Sequence, residues 1–105
     1  MELSFRTMTD VSTVHIPFED TKKLDLLARQ YNNGHDAPLG APIVYAYAEG
    51  YFVYAGGDGD RKAFEDTELS PEFLALLKLT SEDGHAYLNL DRDGTEYDEL
   101  PKFDW

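Results

Sequence analysis

The run Val11-Ser-Thr-Val-His-Ile16 mixes β-branched and small polar residues and is closed by Pro17. That pattern predicts a strand. Alternation puts Ser12, Val14 and Ile16 on one face and Val11, Thr13 and His15 on the other. Residues 1–9 ahead of it read as a loose leader. From Glu19 to Asn32 the period changes: Leu24, Leu27, Ala28 and Tyr31 share one helical stripe, and Glu19 and Asp20 sit where a helix start favours acid. Asn33-Gly34 supplies a left-handed stop, and residues 35–42, with Pro38, Gly40 and Pro42, predict a loop. Ile43–Ala48 and Tyr51–Ala55 form the most apolar stretch and predict a central hairpin turning at Glu49-Gly50. Gly56-Gly-Asp-Gly-Asp60 predicts a polar loop that Arg61 to Glu68 prolongs.

Ser70-Pro71-Glu72 is a helix start of three agreeing signals: a Ser cap, Pro at the first helical position and acid in the first turn. Phe73, Leu74, Leu76, Leu77 and Leu79 follow, and Gly84 ends the helix. Ala86–Leu90 predicts a strand, Asp91–Gly94 a turn and Thr95–Glu99 a partner strand. The order is β-α-β-β-α-β-β, an α+β fold in which a small, mostly antiparallel sheet carries two helices on one face. The chain has 105 residues, enough for one domain over residues 10–105.

Charge narrows the function. With 21 acidic and 9 basic residues the net charge is −12. Phosphate neutralisation needs Lys and Arg, so direct nucleic-acid binding is disfavoured, as is an anionic membrane surface. A basic protein partner is favoured, although surplus acid also serves solubility alone. The absence of cysteine excludes disulfides, thiolate catalysis and Cys-based zinc sites. The chain opens without a signal-peptide pattern, which implies the cytoplasm.

Candidate chemistry is sparse. Asn89-x-Asp91-x-Asp93-Gly94 is similar to the start of a calcium loop, but the twelfth position is Leu100 and the flanks predict strands, so an Asp-Gly turn is the simpler reading. Asp58-Gly-Asp60 lacks a closing ligand. His15, His35 and His85 contain no i,i+4 pair, so no local metal motif exists. His15 is the most suggestive of the three, sharing a strand face with Thr13. Ser12 and His15 point to opposite faces of a strand, which argues against a nucleophile–base pair. No phosphate loop is present, and no cofactor or metal is called for. The aromatic run Tyr45, Tyr47, Tyr51, Phe52 and Tyr54 suits sheet packing or a protein-binding patch.

Val11-Ser-Thr-Val-His-Ile16, Glu49-Gly-Tyr-Phe-Val-Tyr54 and Leu90-Asp-Arg-Asp-Gly94 with Leu100-Pro-Lys-Phe-Asp-Trp105 together resemble a bacterial family labelled domain of unknown function 5983, over about residues 10–105. The resemblance implies an accessory or counter-defence role in plasmid- and phage-derived gene sets. It supplies no catalytic residues.

The expectation is a non-enzymatic acidic interaction domain. Asp91, Asp93, Glu96, Asp98 and Glu99, with Tyr97, would meet a basic surface on a nucleic-acid-binding protein. One alternative is a small-ligand binder or enzyme using a pocket of Thr13, His15 and Trp105 near Asp91 and Asp93. Another is an antitoxin-like or structural partner.

Overall fold

A computed structural model describes residues 1–32, 43–55, 64 and 67–105. The loop and stop signals at 33–42, including His35, and the acidic loop with Asp58 and Asp60 lie outside the described residues. The elements are β1 (Met8–Ser12), a 3₁₀ turn (Thr13–His15), α1 (Phe18–Asn32), β2 (Val44–Tyr47), β3 (Gly50–Tyr54), α2 (Pro71–Glu82) and β4 (Tyr87–Asp91). The strands form one sheet in the order β1-β4-β3-β2. β4 runs parallel to β1 and antiparallel to β3, and β3 is antiparallel to β2. The α+β class and the mostly antiparallel sheet are as expected.

The first strand starts and stops earlier than its residues predict. Met8 and Thr9, assigned to the leader, pair with Tyr87 and Leu88. At the other end the Ser12 hydroxyl accepts the Val14 N–H at 3.2 Å. A serine side chain that captures a nearby backbone N–H offers the chain a turn instead of a ladder, and Thr13–His15 coils accordingly. The strict alternation over 11–16 is lost. Val11, His15 and Ile16 are all buried.

The helix signals hold. α2 begins at Pro71, with the Ser70 hydroxyl accepting the Phe73 N–H at 3.1 Å. The Asp20 carboxylate, buried in α1, accepts the Ser70 backbone N–H at 3.0 Å and the Ser70 hydroxyl as well. One carboxylate thereby joins the starts of both helices, which satisfies a charge that burial alone would penalise.

Register sorts the sheet faces. Val11, Leu90 and Tyr51 lie in one row, and Leu88, Val53 and Val44 in the next. These side chains form the core with Leu24 and Ala28 of α1 and Phe73, Leu76 and Leu77 of α2. Tyr51 also donates to the Asp25 carboxylate at 2.7 Å, fixing α1 to β3. Burial, then the Asp25 carboxylate, raises the Tyr51 phenol above its ordinary value near 10. Phe64, from the segment read as loop, is fully buried and meets Phe73 at 5.6 Å between ring centroids.

The hairpin turn falls one residue early, leaving Gly50 inside β3 opposite Asp91. A Cβ at Gly50 would lie 1.8 Å from the Leu90 carbonyl oxygen. Thr95–Glu99, the expected seventh element, runs beside β1. It is held there by the Ser12 N–H donated to the Thr95 carbonyl at 2.8 Å. It has no ladder pairing of its own among the described residues.

Candidate functional site

The closing segment leaves β4 through a tight turn. The Gly94 N–H is donated to the Asp91 carbonyl at 2.9 Å, and the Asp93 N–H to the Asp91 carboxylate at 2.8 Å. A Cβ at Gly94 would come within 2.7 Å of the Val11 carbonyl, so the turn can pass against β1 only without a side chain there. Asp10 then takes two contacts. Its carboxylate accepts the Thr95 hydroxyl at 2.9 Å, and its backbone carbonyl accepts the Tyr97 phenol at 2.8 Å.

His15 is the centre of the attachment. It is 1% exposed. Its Nδ1 lies 2.7 Å from the Pro101 carbonyl oxygen, and its Nε2 lies 2.8 Å from the Tyr97 backbone N. A carbonyl can only accept and a backbone N–H can only donate, so the proton sits on Nδ1 and Nε2 is the acceptor. Both nitrogens are spent on backbone, and neither is free to act as a base or ligand. Beyond His15, the Phe103 N–H is donated to the Val14 carbonyl at 2.7 Å, and the Trp105 indole N–H to the Ile16 carbonyl at 2.9 Å. The Trp105 ring also packs against Phe18 at 5.2 Å. The early 3₁₀ turn thus presents Val14, His15 and Ile16 as a backbone-and-imidazole socket for residues 97–105.

The expected pocket of Thr13, His15 and Trp105 divides in two, because the 3₁₀ turn sends Thr13 and His15 to different recesses. Thr13 and Trp105 line one of about 340 Å³ with Asp25, Tyr47 and Arg92. His15 lines another of about 230 Å³ with Leu76, Leu100 and Pro101.

Two of the calcium-like residues, Asn89 and Asp91, are committed elsewhere. The Asn89 amide donates to the Tyr47 hydroxyl at 2.8 Å and to the Tyr51 carbonyl at 3.1 Å. The Tyr47 hydroxyl donates in turn to the Asp91 carboxylate at 2.6 Å. That bond, then the Asp93 N–H, holds the Asp91 carboxyl below its ordinary value. Burial, then the bond to Asp91, raises the Tyr47 phenol. Removing the hydroxyl in Tyr47→Phe is expected to move the Asp91 titration upward toward that of a free aspartate. Carboxyl-carbon NMR against pH reads the shift directly, and an unmoved Asp91 curve would contradict the assignment. No group of three or more ligating side chains placed to hold a metal occurs among the described residues.

Asp91 is therefore a structural acceptor first. The other predicted carboxylates differ. Asp93, Glu96, Asp98 and Glu99 are exposed, with the Asp93 and Asp98 side chains 83% and 98% accessible. Asp104 extends the row. Arg92 and Lys102 approach Asp93 and Asp98 at 4.0 and 3.6 Å. Exposed pairs of this kind contribute little and leave the acids open to a partner. Tyr97 points inward and packs against the core, so it anchors the segment. Sequence reasoning missed Asp10, Val14 and Ile16 as attachment points, because their partners lie more than 80 residues away.

Residues 8–105 match the model described as Family of unknown function (DUF5983) C-terminal domain. The chain belongs to that family. No curated protein and no solved structure matches it. The matched stretch runs from the first residue of β1 through the attached closing segment, so it includes both halves of the socket.

Proposed function

We propose that this chain is an acidic protein-interaction domain whose closing segment engages a basic surface on a nucleic-acid-binding protein. The observation that carries the reading is a row of exposed carboxylates on a backbone that is tied down at both ends. Asp93, Glu96, Asp98, Glu99 and Asp104 project from a segment fixed through Thr95, Tyr97, Pro101, Phe103 and Trp105. Fixing the backbone beforehand removes part of the ordering cost of binding. Carboxylates close together in sequence on a held backbone present a basic protein with charge of the kind it meets along a phosphate backbone. An accessory or counter-defence role would follow by occupation: a nuclease covered in this way could not reach its substrate.

A reading centred on His15 as base or ligand lacks comparable support, since both ring nitrogens are hydrogen-bonded.

The test compares wild type with a variant carrying Asp93→Asn, Glu96→Gln, Asp98→Asn and Glu99→Gln. These side chains are exposed, so stability is expected to change little. Affinity capture at low salt is expected to retain a basic nucleic-acid-binding protein, and duplex DNA should displace it. The variant should bind it about tenfold to a hundredfold more weakly, at the scale of a few rim charge contacts. Equal capture by both proteins, or a partner of acidic surface, would sink the proposal.

A further inference from the structure

The sheet face turned away from both helices is aromatic. Tyr45 and Phe52 are register partners, as are Tyr54 and Tyr87, and Tyr47 lies 5.2 Å from Phe52. Tyr45 is exposed and the other four rings are half-buried. Both helices pack on the other face, through Tyr51, Val53, Leu88 and Leu90. Five rings gathered on one open sheet face exceed the singly scattered apolar exposure of an ordinary surface, and such a patch marks a contact surface.

What the chain itself seats there identifies the chemistry. The Arg6 guanidinium lies over the Tyr54 ring, 5.9 Å from its centroid, and donates to the Tyr87 hydroxyl at 3.4 Å. Tyr54 and Tyr87 meet edge to face at 5.4 Å, so one ring offers its π face and the other its hydroxyl oxygen. Asp10 and Asp91 belong to the same sheet face by register. The net charge of −12 adds a field that favours cations. A guanidinium suits this surface better than an ammonium, because it is planar, more weakly hydrated and able to stack while donating laterally.

Resting on the proposed acidic interaction function, we infer that the open sheet face centred on Tyr54 and Tyr87 is a guanidinium-binding surface for arginine side chains of the basic partner, and that Arg6 holds this place until the partner displaces it. The closing segment supplies charge, and the tyrosine face selects arginine over lysine. Arg6 competes from within the chain, so it lowers the affinity for any incoming arginine by its own occupancy.

The inference is tested by titrating an Arg-Gly repeat peptide and a Lys-Gly repeat peptide of equal length and charge into the protein, with binding followed by tyrosine ring NMR. The Arg peptide is expected to bind more tightly and to shift Tyr54 and Tyr87. Tyr54→Leu with Tyr87→Leu should erase the difference between the peptides while leaving the salt dependence in place. Arg6→Ala should tighten the Arg peptide by about two- to fivefold relative to the Lys peptide, the scale of an exposed cation–π contact. If the double leucine variant fails to fold, Arg6→Ala decides alone, since it leaves the sheet intact. Equal binding of both peptides, with shifts confined to residues 93–99, overturns the inference and leaves the acidic-segment proposal standing. Failure of both peptides to bind wild type at low salt overturns both.

Discussion

Replacing His15 by alanine is expected to lower the unfolding free energy by about 3 to 4 kcal/mol and to loosen the closing segment. The imidazole makes two hydrogen bonds at once, one donated to the Pro101 carbonyl and one accepted from the Tyr97 N–H. Alanine deletes both and leaves the Tyr97 N–H and the Pro101 carbonyl without their protein partners. An orphaned polar group of this kind costs about 1 to 3 kcal/mol, unless water reaches it. The shortened side chain also leaves a void beside Leu76 and Leu100, with which it lines a recess. For a domain of this size the expected fall in melting temperature is roughly 15 to 25 °C. Trp105 emission should shift to the red, and the Tyr97 and Phe103 amides should exchange faster. An unchanged melt with protected amides would show that the socket holds without its imidazole. A second variant separates the two bonds: His15→Asn keeps one donor and one acceptor on a shorter side chain and is expected to recover part of the loss.

Gly50→Ala is expected to be at least as damaging, although it adds only one methyl group. The new Cβ would lie 1.8 Å from the Leu90 carbonyl oxygen and 2.9 Å from the Asp91 Cα. Both neighbours are backbone, so no side-chain rotation relieves the clash. β3 and β4 must separate at the Gly50–Asp91 pair, which also endangers the Arg92 N–H bond to the Glu49 carbonyl at 2.9 Å. Overpacking costs typically reach about 3 kcal/mol, and a backbone collision between central strands belongs at or above that end. The same displacement would re-aim Asp91 away from the Tyr47 hydroxyl. A denaturant melt within about 1 kcal/mol of wild type would contradict this account.

These two residues show where the sequence was legible. The helix at Ser70-Pro71-Glu72 was readable because each signal acts within one turn: a hydroxyl, a fixed φ and a charge at the dipole. The hairpin was readable from its apolar runs, but Glu49-Gly50 looked like the turn itself, and only the approach of the Leu90 carbonyl explains why Gly50 sits inside a strand. The first strand was misjudged because Ser12 can satisfy Val14 locally, and that contest between turn and ladder leaves no mark in hydrophobic alternation. Phe64 was lost among polar neighbours, since a single buried ring has no period. His15 stood out by its position, but its two partners stand 82 and 86 residues away, so the bonds it makes could not be read locally. The closing segment was the most informative part. Its Asp-Gly turn was readable locally, whereas the fold-back of its aromatic end rests on the distant hydrogen bonds of Phe103 and Trp105. Of its carboxylates, Asp91 turned out to be spent on Tyr47, while the exposed ones remain available to a partner.

In the proposed function, exposed carboxylates on the fixed backbone of this segment do the binding. The most direct measurement is the salt dependence of affinity for a captured basic partner, taken for wild type and for the variant neutralised at Asp93, Glu96, Asp98 and Glu99. Wild-type affinity is expected to fall steeply from about 50 to about 200 mM salt, and the variant is expected to bind more weakly with a flatter slope. Identical affinities and identical slopes for the two proteins would contradict it.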